Sequence, residues 1–396
     1  MSIARKVAII GGGIGGLSAA LHLLRAGFDV AVYEQAPRIS EIGAGIQISP
    51  NASRLLHRLG LRAAMDRVGV FPQAIHQRRW DDGRTLQRAP LGPEVERTFG
   101  APYYHFHRAD LANLLADALP QERVHTSHRL VGLEEKSGTV VARFDNGAVA
   151  EADVLIGADG IHSKVHTLVF GPEKARFTGC VAWRGLVPAE KVRALDIEVA
   201  SHNWMGPDGH VVHYWVGGGR FMNVVCVTEH GQWTEEGWTV PGRLEEVAAR
   251  YADWHPTVRG LIGLFPETFV WALHDRTELP HWTSGRIALL GDACHPMLPF
   301  MAQGAAQSIE DGAALAALLA RMPDAPQEAL KRYEEVRKPR ATRLQQASAN
   351  NRVRFHLPDG PEQQARDQAM ATSGDRAIGN IGWLYAHDAA QDAAPA

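Results

Sequence analysis

Apolar and polar positions run in blocks along this chain, and the blocks change period twice. Lys6–Ile10 is a short, nearly continuous apolar run, the pattern of a parallel strand buried on both faces. Glycines fill 11–16, Leu17–Ala26 is apolar at helical spacing, and Gly27 ends it. Val30–Tyr33 is a second apolar run, so the opening segment predicts a β-α-β unit. A helix is predicted from Ala52 to about Gly60 with Asn51 as its cap. Another covers Arg108–Leu119, where Leu111, Leu114 and Leu115 share a face and Pro120 lies beyond the end. Short β runs follow at Arg123–Thr126, Val131–Glu135, Thr139–Phe144 and Ala148–Ala150, with Asp145-Asn146-Gly147 as a hairpin turn. Asp153–Ile156 is one more buried strand.

From Phe177 to about Trp271 the period becomes two. "CVAWRGLVP", "HVVHYWV" and "RFMNVVCVT" predict an antiparallel sheet. After Arg286 the first pattern returns, with helices at Ala305–Arg321 and Gln327–Ala349. In the polar tail from Pro358 only "IGNIGWLYAHD" reads as able to pack. The pattern therefore predicts an α/β domain that is interrupted by a β-rich one and then resumes.

Composition narrows the function classes. The 396 residues exceed one simple core, and 45% hydrophobic with 21% charged residues is ordinary for a soluble protein. A net charge of −3, with scattered arginines, gives no field to recruit nucleic acid or an anionic membrane. Cys180, Cys226 and Cys294 are far apart, which argues against a disulfide framework, a zinc site or a dithiol centre. No apolar run reaches bilayer length, and Val7–Ile10 breaks into glycines too soon for a secretion signal. A cytoplasmic enzyme is expected.

Three stretches carry candidate chemistry. "VAIIGGGIGGLSAALHLLRAGFDVAVYEQ" places Gly11, Gly13 and Gly16 between a strand and a helix. These give a tight turn, a close approach to a pyrophosphate and close helix–strand packing, with Glu34 placed to accept ribose hydroxyls. Glycine spacing alone does not separate FAD from NAD. "DVLIGADGIHSKVH" puts Asp159-Gly160 directly after a buried strand; read alone, this is an ordinary turn. "GRIALLGDACHPMLPFMAQGAAQSIED" runs from a strand through Asp292 and two prolines to a helix opening at Gly304. Unpaired N–H groups and the dipole at such a helix start suit a partly negative ligand edge.

In this order, "GGGIGG", "GADGIHS" and "LLGDACHPMLPFMAQG" resemble the FAD-dependent aromatic hydroxylases, the class A flavoprotein monooxygenases. The nearest likeness is to the group of salicylate hydroxylase, 3-hydroxybenzoate 6-hydroxylase and 6-hydroxynicotinate 3-monooxygenase. "FHRADL" and "YEEVRKPRA" match as well, so the resemblance spans about residues 5–350. It implies a glutathione-reductase-like α/β FAD-binding fold interrupted by a sheet like that of p-hydroxybenzoate hydroxylase. The implied FAD-binding domain is 1–75, 100–175 and 273–350, and the implied substrate domain is 76–99 and 176–272. Residues 351–396 are then a helical C-terminal segment and tail.

The resemblance implies non-covalent FAD, NADH or NADPH as co-substrate, and O₂ activated as a flavin C4a-hydroperoxide. The substrate is then a small aromatic acid, with or without loss of CO₂. No membrane or nucleic-acid partner is implied, and a homodimer is compatible. A dehydrogenase or reductase on the same FAD fold is the alternative. Gly11, Gly13, Gly16 and Glu34 correspond to ADP contacts, and Arg108, Asp159 and Asp292 to further FAD contacts. Gln47, Pro299 and the backbone at Gly304 would approach the flavin.

On the substrate side, His210 and Tyr214 share one face of a strand, while His213 points the other way. The pair resembles one lining the pocket in related hydroxylases, and an imidazole that takes a phenolic proton enriches the ring for attack. Arg184 in "AWRG" is a candidate carboxylate partner or, equally, half of a structural ion pair. Three positions depart from the family pattern: His166 stands where many relatives carry Arg, Phe300 where some place a catalytic His, which leaves proton removal to His210, Tyr214 or water, and Trp215 where a proline is common.

Overall fold

The computed structural model describes residues 6–39, 44–136, 138–173, 176–231, 233, 240–374 and 377–392. Its central sheet has six strands. In spatial order they are Thr283–Ser284, Ile287–Leu289, Val154–Gly157, Lys6–Ile10, Asp29–Tyr33 and Val124–His125. All neighbours are parallel except the first pair. The runs read as buried on both faces are so: Val7, Ile9, Leu155 and Ile156 lie under helices on either side.

The first helix is Ile14–Arg25, beginning three residues earlier than its apolar spacing suggested. It lies beside Gly304–Arg321, where Gly312 meets the backbone of Ala19 so closely that a β-carbon would come within 2.8 Å. A second sheet, of three strands, is Leu130–Lys136, Thr139–Phe144 and Val149–Ala152, with the expected hairpin at 145–147.

The third sheet has eight strands. Its order is Val240–Pro241, Phe269–Asp275, Arg176–Pro188, Phe221–Glu229, Gly209–Val216, Ser201–Gly206, Ala74–Arg79 and Thr85–Pro90. One face is packed under Leu244–Arg250 and Pro256–Gly263, using Trp183, Val211, Val224 and Cys226. The other face carries Ala182, Met205, Val227 and Trp271 and meets Leu298, Phe300 and Phe355. A two-stranded ribbon, Gly45–Ile48 with Tyr104–His107, leans on this face.

Three local expectations are corrected. Asn51 is not a cap: Ser49 precedes the helix Pro50–Arg58, and the Asn51 amide is turned inward to Glu310 and Gln303. The long helix runs Pro326–Phe355, carrying Pro339 and outlasting the expected end at Ala349. The tail packs more than its polarity suggested. Pro361–Ser373 is a helix that buries Gln363, Arg366, Asp367 and Met370.

Candidate active site

Four adjacent parallel strands end at one edge of the central sheet, and each candidate nucleotide motif follows one of them. Gly11 follows Lys6–Ile10, Glu34 follows Asp29–Tyr33, Asp159 follows Val154–Gly157 and Asp292 follows Ile287–Leu289. Parallel register therefore brings Gly11–Gly16, Glu34, Asp159 and Asp292 to the carboxyl edge, where open α/β sheets hold ligands.

Glycine is required in the first turn. Gly11 has φ +109°, and a β-carbon there would sit 2.3 Å from the Ala158 carbonyl oxygen. One on Gly16 would sit 2.0 Å from the Gly11 oxygen. The helix after Gly13 has no side-chain cap and no acidic residue in its first turn, leaving its N–H groups open to an anion. The Glu34 carboxylate is held over the turn, accepting from Gly12 N at 2.7 Å and Ala36 N at 2.8 Å. These residues fit an adenosine diphosphate moiety.

Asp159 is used differently. It accepts from the Ser163 hydroxyl and from the amides of Lys164 and Val165, so its side chain braces the helix Lys164–Phe170. His166 is buried 3.6 Å from Glu173, with burial and Arg276 pushing its pKa down. Arg276, donating to the Ile161 carbonyl and Glu173, is the guanidinium beside this motif; it comes from the strand end at Asp275 and had no sequence signal.

Asp292 is open to solvent, yet lies deep enough among protein atoms that desolvation pushes its carboxyl up, against the pull of His295 and Arg108. A β-carbon added to Gly304 would lie 3.8 Å from Asp292 Oδ1. The helix Gly304–Arg321 also has no capping side chain and no acid in its first turn. The loop before it alternates: Leu298 and Phe300 are buried against the eight-stranded sheet, and Pro299 is exposed.

A buried polar network holds that loop. Asp311 Oδ2 accepts from Gly291 N at 3.0 Å and lies 2.6 Å from His295 Nε2. Arg337 donates to Asp311 Oδ1 at 2.8 Å and to Glu310 Oε2 at 2.6 Å, while Arg340 donates to both Glu310 oxygens. Arg337, Glu310 and Asp311 are all fully buried.

The substrate-side residues line one face of the eight-stranded sheet. Register places Ala182, Val227 and His210 in one row, Arg184, Val225 and Val212 in the next, and Leu186, Asn223 and Tyr214 in the third. His210, Tyr214 and Arg184 are buried, whereas Leu186, Val225 and Val212 between them are partly open. An apolar floor flanked by polar side chains follows.

Arg184 forms no carboxylate pair among the described residues. Its Nε and Nη2 donate to nothing there, and its guanidinium lies 4.9 Å over the Trp271 ring. Burial and the charge of Arg108 push its pKa down to about 10, still charged at neutral pH. The charge of Arg108 thus acts on both Asp292 and Arg184, linking the two halves of the site electrostatically. Burial pushes the Tyr214 hydroxyl up, while Gln47 and Arg184 act the other way, so it is a donor. Gln47 also accepts from Tyr103 Oη at 2.7 Å. Phe300 meets the His210 ring edge-on, centroids 4.8 Å apart.

Sequence reasoning missed His105, whose ring is 4.5 Å from Tyr214 and whose pKa burial pushes down to about 3. No local pattern marked it; it reaches the site through the ribbon register Gln47↔His105. It also missed Asn223, which accepts from Gly45 N at 2.8 Å.

The FAD binding domain family matches residues 4–348. The chain is 43% identical over 385 residues to a 3-amino-4-hydroxybenzoate 2-monooxygenase of Streptomyces platensis, covering 97% of this chain and 96% of the relative. It is 38% identical over 354 residues to the 6-hydroxynicotinate 3-monooxygenase of Pseudomonas fluorescens, covering 89% and 92%. The crystal structure of Klebsiella pneumoniae HpxO with FAD and uric acid superposes with TM-score 0.85 at 29% identity, covering 96% of each chain. The chain belongs to the FAD binding domain family and, within it, to the FAD-dependent aromatic hydroxylases.

Proposed function

We propose that this chain is an NAD(P)H-consuming, FAD-dependent monooxygenase that hydroxylates a small hydroxylated aromatic carboxylate. The observation carrying this reading is Arg184, a buried guanidinium with open donors beside a partly open apolar floor. A buried cation without a carboxylate is costly, and a substrate carboxylate relieves that cost. The named substrates of the two relatives, 3-amino-4-hydroxybenzoate and 6-hydroxynicotinate, are both acids of this kind.

In this reading the carboxyl edge of the central sheet, from residues 1–75, 100–175 and 273–350, holds FAD. Gly11–Gly16 and Glu34 take the ADP portion, and Arg108, Asp292 and the start of Gly304–Arg321 take the flavin end. The bound flavin supplies reduction by NADH or NADPH and activation of O₂. Arg184 anchors the acid, Tyr214 donates to a ring oxygen, and Val212 with Val225 supports the ring. His210 accepts the phenolic proton at a ring nitrogen, which raises ring electron density. Leu298 and Phe300 keep bulk water off that proton, and Phe300, standing where some relatives carry a histidine, leaves His210 as the base.

The test is NADH and NADPH oxidation with O₂ uptake by the purified yellow protein. The panel is 3-amino-4-hydroxybenzoate, 6-hydroxynicotinate, salicylate and 3-hydroxybenzoate, with products identified by mass. A product one oxygen heavier, or that gain less CO₂, is expected for one acid. Oxidation that persists without O₂ and reduces an organic acceptor instead supports the dehydrogenase reading.

A further inference from the structure

His210 has a second histidine behind it. Its Nδ1 lies 2.7 Å from Nε2 of His356, and Nδ1 of His356 lies 3.2 Å from Oε1 of Glu229. The two imidazoles are 2% and 4% exposed, whereas the Glu229 side chain is 37% exposed. A continuous chain of three groups therefore leads from the buried face of the eight-stranded sheet to solvent. His356 follows directly on the helix Pro326–Phe355, beyond the matched family region of 4–348. Its position at a helix C-terminus favours an imidazolium.

We infer that His356 and Glu229 are positioning residues of a proton relay that carries the substrate's hydroxyl proton from His210 to solvent. This rests on the reading above that His210 is the base. The atoms balance in one tautomer only. The Glu229 carboxylate accepts Nδ1–H of His356, leaving Nε2 of His356 to accept Nδ1–H of His210. Nε2 of His210 is then the free acceptor for the substrate O–H. When that proton arrives, the Nδ1 proton of His210 passes to Nε2 of His356, and the Nδ1 proton of His356 leaves by Glu229 to water. No net charge stays on His210, which burial and His356 hold well below the ordinary histidine range.

The groups facing His356 are His210, Glu229, Arg352, Asp208 and Cys180. Arg352 Nε is 3.3 Å from Glu229, Asp208 N donates to the His356 carbonyl, and Cys180 shares the cluster. Desolvation, with Arg352, holds the His356 pKa below the ordinary histidine value, against the opposing pull of Glu229 and Asp208.

The test uses full-length holoenzyme, wild type against His356→Gln, His356→Ala and Glu229→Gln, with whichever panel acid wild type hydroxylates. A fall in kcat of about tenfold to a hundredfold is expected for the His356 variants. Substrate Kd, read from the flavin absorbance change, and the rate of flavin reduction stay within about twofold. Added imidazole restores His356→Ala, and the acid limb of the kcat profile moves to lower pH in Glu229→Gln. Unchanged kcat overturns the relay, as does a joint fall in kcat, affinity and melting temperature without imidazole rescue.

A ligand-free arm separates this from the functional reading. Proton–nitrogen correlation spectra of ¹⁵N-histidine-labelled holoenzyme must show both rings protonated at Nδ1. Protonation of His356 at Nε2 instead overturns the relay whatever the substrate is. Failure of every panel acid with the Nδ1 tautomers intact counts against the proposed function alone.

Discussion

Gly45 and Tyr214 touch across the seam between the two-stranded ribbon and the eight-stranded sheet. A β-carbon on Gly45 would come 2.7 Å from the Tyr214 ring and 2.6 Å from the Asn223 side chain, whose oxygen accepts from Gly45 N. Gly45→Ala must therefore push the ribbon off Tyr214 or turn the ring. We expect about a tenfold loss in kcat/KM for the aromatic acid, because misplacing a positioning group by even a fraction of an ångström weakens orientation. FAD content, read from the ratio of flavin to protein absorbance, stays unchanged. Loss of FAD instead would mean that the ribbon serves the cofactor.

Gly16→Ala tests the other end. Its β-carbon would collide with the Gly11 carbonyl, which is backbone and has nowhere to go. The turn must open, and the protein should purify colourless with unchanged strand and helix content by circular dichroism. A yellow, fully loaded variant would falsify the assignment of this turn to the ADP moiety.

These two glycines also show what was legible beforehand. Gly16 belongs to a local motif, in which a strand, a turn and a helix are consecutive in sequence, so spacing alone revealed its task. Gly45 matters only because Tyr214 and Asn223 arrive from far along the chain, and no local pattern reports such a contact. The same reason hid His356 and Arg276. Asn51 was misread because its position just ahead of an apolar run suits a cap, whereas Glu310 claims its amide in the fold. The 351–396 segment was expected to be helical, but the packing of Pro361–Ser373 was missed because most of its buried face is Gln363, Arg366 and Asp367, polar residues satisfied by one another. The alternating "HVVHYWV" was legible because one strand face meets a solid core and the other a floor with openings.

Arg184→Met keeps the bulk on Trp271 and removes the charge. Binding of the aromatic acid should weaken by about ten- to a hundredfold, the range for losing hydrogen bonds to a charged group. Stability should hold or rise, since no carboxylate among the described residues is left behind and a desolvated cation is gone. Flavin-perturbation titrations and urea melts of the same preparation check both halves. Equal affinity in the variant would remove Arg184 from the substrate site.

Arg337→Met should do the opposite to stability. It strips a guanidinium from two fully buried carboxylates, Glu310 and Asp311, leaving Arg340 and His387 beside Glu310 and His295 beside Asp311. Breaking a buried pair in this way costs about 3–5 kcal/mol, visible in urea melts. Because Asp311 also holds Gly291 N and His295, the loop carrying Asp292 and Pro299 should loosen, with weaker FAD retention. The network also sets a pH signature. Its arginines hold Glu310 down at about 2, from an ordinary 4.5, and His295 and Arg337 lower Asp311 too. With folded values depressed, the unfolded chain takes up protons first as pH falls. The stabilisation is thus complete above about pH 4.5, shrinks below it, and is lost as pH passes about 2. Glu310→Gln should show a shallower acid limb in urea melts from pH 6 down to the lowest soluble pH. An unchanged slope there would mean that other carboxylates carry the acid sensitivity.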